Sequence, residues 1–172
     1  WDRPWSGVIT RDELVRQSYT NFADERYGTL RTLSSNEVDY SVTGGRKGWY
    51  IDLDSVAVGG VEGIDPPQFA GERASRNIQA RGGRAFVNSI VPSVKDSCVN
   101  VAGGFALAFC PDTGSDACFS ANGVFELTDG ASLGPYGRAV AGMRFKGGVP
   151  TDSSFIGGKR MTQLSDKSIA IV

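Results

Sequence analysis

Asp52 and Asp54 stand two residues apart, so on a strand both carboxylates would point to one face. Paired carboxylates can do the acid–base work of a glycosidase. Nothing in the sequence places a second carboxylate across a cleft from them, and a solvated strand end explains both. The chain has no histidine. That removes Ser-His-Asp and Cys-His nucleophile systems, the HExxH zinc proteases and every metal site built on imidazole. Asp112, Ser115, Asp116 and Asp129 offer oxygens to a calcium ion, but their spacing departs from the EF-hand loop and Asp112-Thr113-Gly114 is a sufficient turn. Glu72, in Gly71-Glu72-Arg73, stands where a loop enters a strand. Its expected role is to pair with an arginine of a neighbouring strand and fix register; a catalytic Glu-Arg pair would lack a nucleophile and a cofactor loop. No strand–GxGxxG–helix pattern and no lysine-bearing phosphate loop is present.

Aromatic residues are the other chemical resource. Trp1, Trp5, Trp49 and Tyr50 could stack on sugar rings, with Trp5, Trp49 and Tyr50 the candidate ligand-stacking set. Neighbours on a strand face opposite ways, so one of Trp49 and Tyr50 is expected outward. The cysteines are Cys98, Cys110 and Cys118. Cys110 and Cys118 flank a turn-rich stretch, and a bridge between them would staple that loop in an oxidising compartment. Cys98 could instead pair with either. A zinc or redox site lacks both a CxxC spacing and a histidine.

The elements that must position these residues read as mainly β. Glycine is abundant, 23 of 172 residues, and marks the turns that strands need. Charged residues are 22% and the net charge is -1, which gives no footprint for nucleic acid or an anionic membrane. No run of eighteen apolar residues occurs, so no membrane span is expected. The chain begins with Trp1 and stops on the apolar Ser168-Ile169-Ala170-Ile171-Val172, which reads as a piece of something longer ending in a strand cut short.

One helix is predicted. Thr10-Arg11-Asp12-Glu13 is a capping box, and Val15, Tyr19 and Phe22 follow at i, i+4 and i+7 beside Leu14. This gives a short amphipathic helix over 10–22. Beyond Tyr27, Gly-Gly pairs at 44–45, 59–60, 82–83, 103–104, 147–148 and 157–158 punctuate short apolar runs. Gly48-Trp49-Tyr50-Ile51-Asp52-Leu53 is one strand. Residues 74–80 and 84–91 form a hairpin about Gly82-Gly83. Phe105-Ala106-Leu107-Ala108-Phe109 and Gly123-Val124-Phe125-Glu126-Leu127 are further strands. Residues 59–69, with Pro66-Pro67, and a stretch beginning at 152–154 read as loops. The four strands over 73–128 match one blade of a propeller, a four-stranded antiparallel meander; a sandwich could use the same strands. A full propeller needs at least four blades, so the chain would be a partial propeller domain.

Several phrases occur in one order: Thr10-Arg11-Asp12-Glu13-Leu14-Val15-Arg16-Gln17; residues 27–40 with Leu33-Ser34-Ser35-Asn36-Glu37-Val38-Asp39-Tyr40; Lys47-Gly48-Trp49-Tyr50-Ile51-Asp52-Leu53; Gly71-Glu72-Arg73; Ile90-Val91-Pro92-Ser93; Cys98; Gly103-Gly104-Phe105; Asp112-Thr113-Gly114; and Val124-Phe125-Glu126-Leu127. From Thr10 to about Val149 this order resembles the C-terminal region of the type IV pilus tip adhesins, the PilY/PilC family. The resemblance implies a late part of a β-propeller in a much longer, exported protein at the pilus tip. It implies partnership with minor pilins and with host or abiotic surfaces, in pilus biogenesis, adhesion and twitching motility. It transfers no catalytic residue and no cofactor. The family's Asp-rich calcium loop lies upstream and has no counterpart here. Cys110 and Cys118 depart from the family's simplest pattern, a single cysteine near Cys98. Two other readings stand beside it: a lectin-like secreted β module, and a fragment of a quinoprotein-type propeller enzyme, for which no cofactor channel with metal-ligating carboxylates can be located.

Overall fold

The computed structural model describes residues 7–42, 45–53, 71–74, 77–92, 103–119, 125, 134, 137–145 and 148–171. Among these the chain is mainly β, with no α-helix. A central seven-stranded sheet runs β2 (Tyr19–Asp24), β3 (Gly28–Leu33), β9 (Val140–Arg144), β8 (Phe105–Phe109), β7 (Arg84–Ile90) and β5 (Arg73–Ala74), with β6 (Gln79–Arg81) also on β7. All of its pairs are antiparallel. A separate parallel pair joins β1 (Leu14–Gln17) to β4 (Gly48–Ile51). A third, antiparallel sheet runs β10 (Pro150–Ile156), β11 (Lys159–Leu164), β12 (Ile169–Ile171).

The predicted helix over 10–22 is not formed. The capping residues do meet: the Glu13 carboxylate accepts from the Thr10 N–H at 3.0 Å and from its hydroxyl at 3.2 Å. They close only a 3-10 turn, Arg11–Glu13, before β1 begins. The cause lies in the next residues. Val15, Tyr19, Thr20 and Phe22 are β-branched or aromatic and fit a pleated surface. The helical i, i+4, i+7 spacing was accidental, for Tyr19 and Phe22, three apart on β2, pack on opposite faces of the central sheet.

That sheet is buried on both sides. On β8, Phe105, Leu107 and Phe109 enter one apolar cluster with Tyr19, Leu33 and Val87, covered by Trp49 and Ile51 of β4. Ala106 and Ala108 face the other cluster with Leu30, Phe86 and Val140, covered by Phe155 and Leu164 of the β10–β12 sheet. Three β layers result. Covering on both faces explains why β8 reads as a continuous apolar run rather than an alternating one.

Turn chemistry sets the hairpins. Gly82-Gly83 and Gly157-Gly158 each join two strands as a two-residue loop, with positive φ at both glycines (57° and 73°; 56° and 85°). Gly103-Gly104 is not a turn: Gly103 forms an antiparallel bridge with Val91. The loop expected at 152–154 is instead strand, inside β10. Its polar residues alternate, with Ser153 buried and Asp152 and Ser154 exposed. The expected strand at 123–127, apart from the buried Phe125, and the loop at 59–69 lie outside the described residues, as do Trp1, Trp5, Asp54, Cys98 and Asp129. The strand expected at the C-terminal end is β12.

Candidate functional site

Glu72 does meet an arginine, but not one on the strand beside it. Arg31 of β3 reaches across the sheet, and Nη1 and Nη2 donate to Glu72 Oε1 and Oε2 at 2.9 and 2.8 Å. Both side chains are fully buried. The route lies over Gly142 of β9. A Cβ there would sit 2.8 Å from Leu107 Cδ2 and 3.0 Å from Arg31 Cβ. The guanidinium is held between the rings of Tyr19 and Phe105, 3.9 and 3.8 Å from their centroids. Nε donates to Asn21 at 2.9 Å, and the Ser89 hydroxyl donates to Glu72 Oε1 at 2.6 Å. Every polar neighbour is thus engaged in binding β2, β3, β7 and the entry to β5 together. Such a closed network suits positioning rather than turnover.

The aromatic candidates on β4 part company as alternation requires. Trp49 turns inward, edge-on to Phe109 with centroids 5.1 Å apart, and its Nε1 donates to the Pro111 carbonyl at 3.0 Å. Its ring lies so close to Gly114 that a Cβ there would be 2.2 Å from it. Tyr50 turns the other way, beneath the Arg11 guanidinium at 4.8 Å. Arg11 also donates to Asp52 Oδ1 at 2.5 Å, so Asp52 is tied to the first turn.

Cys110 and Cys118 form a disulfide, with Cα atoms 5.6 Å apart. The stapled loop sits on Trp49 and is stitched to the rest of the chain. Gln17 donates to the Thr113 carbonyl at 2.8 Å and to Asn36 at 2.7 Å, the Tyr40 hydroxyl donates to the Asp112 carbonyl, and Ser35 donates to Asp116 at 2.7 Å. Asp112 is engaged through its carbonyl, Ser115 by the Thr113 hydroxyl at 2.8 Å and Asp116 through its carboxylate, each with a different partner. Among the described residues no three Cys, Asp or Glu groups gather as a metal site. Gln17 escaped sequence reasoning, since a lone glutamine in a helical pattern reads as solvent-facing; here it is buried and bonded at both ends of its amide.

The β10–β12 sheet carries an apolar outer face. Register places Ser154, Met161 and Ile171 in one row on its outer face, with Ile156 and Ile169 on that face too. Ile156, Ile169 and Ile171 are about 60% exposed or more (65%, 59%, 59%). β12 pairs with β11 on one side, and no described strand lies on its other side. An open edge with isoleucines beside it is a template for a further strand.

No family model, curated protein or solved structure matches the chain.

Proposed function

We propose that this chain is a non-enzymatic contact module of the type IV pilus tip, acting in pilus assembly, adhesion and twitching motility by binding minor pilins and surfaces. The reading places it outside the cell after export through the periplasm, a compartment in which the Cys110–Cys118 bridge would persist. One observation carries the binding mode: the β12 edge on which no described strand lies, with Ile169 and Ile171 exposed beside it, can accept a strand from a partner. The ordered motifs from Thr10 to Val149 carry the family. The propeller arrangement rests on that resemblance and on the strand spacing over 73–128; the described central sheet, at seven strands, is wider than a four-stranded blade.

The test is direct. The purified chain is mixed with the full set of minor pilins and analysed by size exclusion and titration calorimetry. A complex is expected with at least one of them, weakened about tenfold or more by Ile169→Lys with Ile171→Lys, since burying two unpaired charges is costly. In the complex, the amides of 169–171 should gain protection from hydrogen exchange. Failure to bind any minor pilin would end the proposal; binding that ignores both substitutions would move the contact away from β12.

A further inference from the structure

The β6–β7 and β10–β11 hairpins end side by side, and their two glycine tips border a cavity of about 220 Å³. That is several times the ~30 Å³ share of one water. Its walls are of two kinds. Arg81, Arg84 and Arg160 supply three guanidinium groups; Phe86, Phe125 and Phe155 supply apolar surface. No carboxylate is among the described residues that line it.

Among the described residues the charges are unbalanced. Arg160 is 4% exposed, yet among the described residues its donors meet only neutral acceptors: Ser153 Oγ at 3.0 Å, the Leu107 carbonyl at 3.2 Å and Asn88 Oδ1 at 2.5 Å. Burial pushes its guanidinium down to about 10, the mark of a cation short of compensation. Arg84 Nε is closed off from solvent and has no hydrogen-bond partner among the described residues. Arg81 lies over the Phe155 ring at 5.2 Å and Arg160 over Phe86 at 5.4 Å, so the rings hold these cations in place without neutralising them. A buried polar atom without a partner costs free energy, and a site that keeps one beside two further cations is built for an anion.

We propose that this cavity binds a carboxylate carried on an apolar body. Arg84 supplies the direct donor, Arg81 closes from the rim, and Arg160 supplies charge from beneath. The guanidinium fork matches a carboxylate in plane. The three phenylalanines choose between anions: they suit a carboxylate with an apolar or aromatic body and penalise a compact, strongly hydrated inorganic anion. None of this depends on the open β12 edge.

Titration of the 172-residue chain with benzoate, benzamide and inorganic phosphate, followed by amide NMR, tests it. Benzoate should shift the amides of Gly82, Gly83, Gly157 and Gly158 and saturate below about 10 mM. Benzamide should do nothing, and phosphate should bind more weakly. Arg84→Gln should weaken benzoate about tenfold or more, the scale of one charge-assisted bond. If Arg84→Gln does not fold, Arg81→Gln on the exposed rim decides, with a loss of about threefold. Benzamide equal to benzoate, phosphate tighter than benzoate, no saturable shift at either hairpin tip, or affinity untouched by both substitutions would each overturn the proposal.

Discussion

Replacing Glu72 with glutamine keeps the shape of the Arg31 site and removes its only carboxylate. The two charge-assisted bonds at 2.8 and 2.9 Å are made at zero exposure, so water cannot replace them. Tyr19, Phe105 and Asn21 still hold the guanidinium where it is, and it cannot swing out to solvent. Breaking one side of a buried pair costs about 3–5 kcal/mol. Whole-domain stability is about 5–15 kcal/mol, so Glu72→Gln should remove a large share of it. With a urea slope of about 2 kcal/mol/M, the midpoint should fall by about 1.5–2.5 M. Arg31→Met should cost a similar amount by stranding the carboxylate. The double variant Arg31→Met/Glu72→Leu should recover part of the loss, because the two new side chains are apolar and of similar volume, although Asn21 and Ser89 lose their bonds to the pair. Urea unfolding followed by tryptophan fluorescence, with the disulfide intact, measures all three. A loss below about 1 kcal/mol in Glu72→Gln, or a double variant as weak as the two single losses added, would show that the pair does not behave as a buried unit.

Gly142→Ala should destabilise by about 1–3 kcal/mol, as the added methyl meets Leu107 and Arg31; a neutral result in the same urea assay would mean that β9 can shift aside. Replacing Cys110 and Cys118 together by serine opens a short loop and should cost about 2.5 kcal/mol on chain-entropy grounds, measured by thermal unfolding against the oxidised parent; an unchanged midpoint would show that the Trp49, Gln17 and Tyr40 contacts hold the loop unaided. At the β11–β12 turn, hydrogen bonds from the Ser168 hydroxyl and then its N–H hold the Asp166 carboxyl below its ordinary 3.8. A depressed acid stabilises the fold above its unfolded value and loses that contribution as pH falls through the folded value. Protection of the amides in this turn, taken against their intrinsic exchange, should therefore fall only below about pH 4, and Ser168→Ala should raise the Asp166 midpoint by NMR titration; an unmoved midpoint would contradict the assignment.

Local chemistry was the legible part of the sequence. Gly82-Gly83 between apolar runs, the stretch Phe105–Phe109 and the turn-rich span between Cys110 and Cys118 each carry their structure within a dozen residues, and each forms as read. The N-terminal segment misled because Val15, Tyr19 and Phe22 satisfy a helical spacing while belonging to two strands that serve different layers. β10 was missed because its inward residues are partly hydroxyls: Ser153 and Thr162 bond one another at 2.7 Å, so the strand lacks an apolar alternation. Glu72 was recognised as an ion-pair partner, yet its mate could not be identified, since the reach of Arg31 depends on a glycine more than a hundred positions further along the chain. The arginine cavity was illegible for the same reason: its two hairpins meet only in three dimensions.

The junction between β3 and β9 also dictates an order of events. Leu30 faces Met143 and Arg31 faces Gly142, so the central sheet closes over a gap of about 107 residues. At ribosomal speeds of about 5–20 residues per second, the β2–β3 hairpin waits about 5–20 s before its partner has been made. For that interval the flank of β3 is bare, and the long closure makes the final step slow. A nascent chain of this design profits from being kept unfolded until β9 has been made.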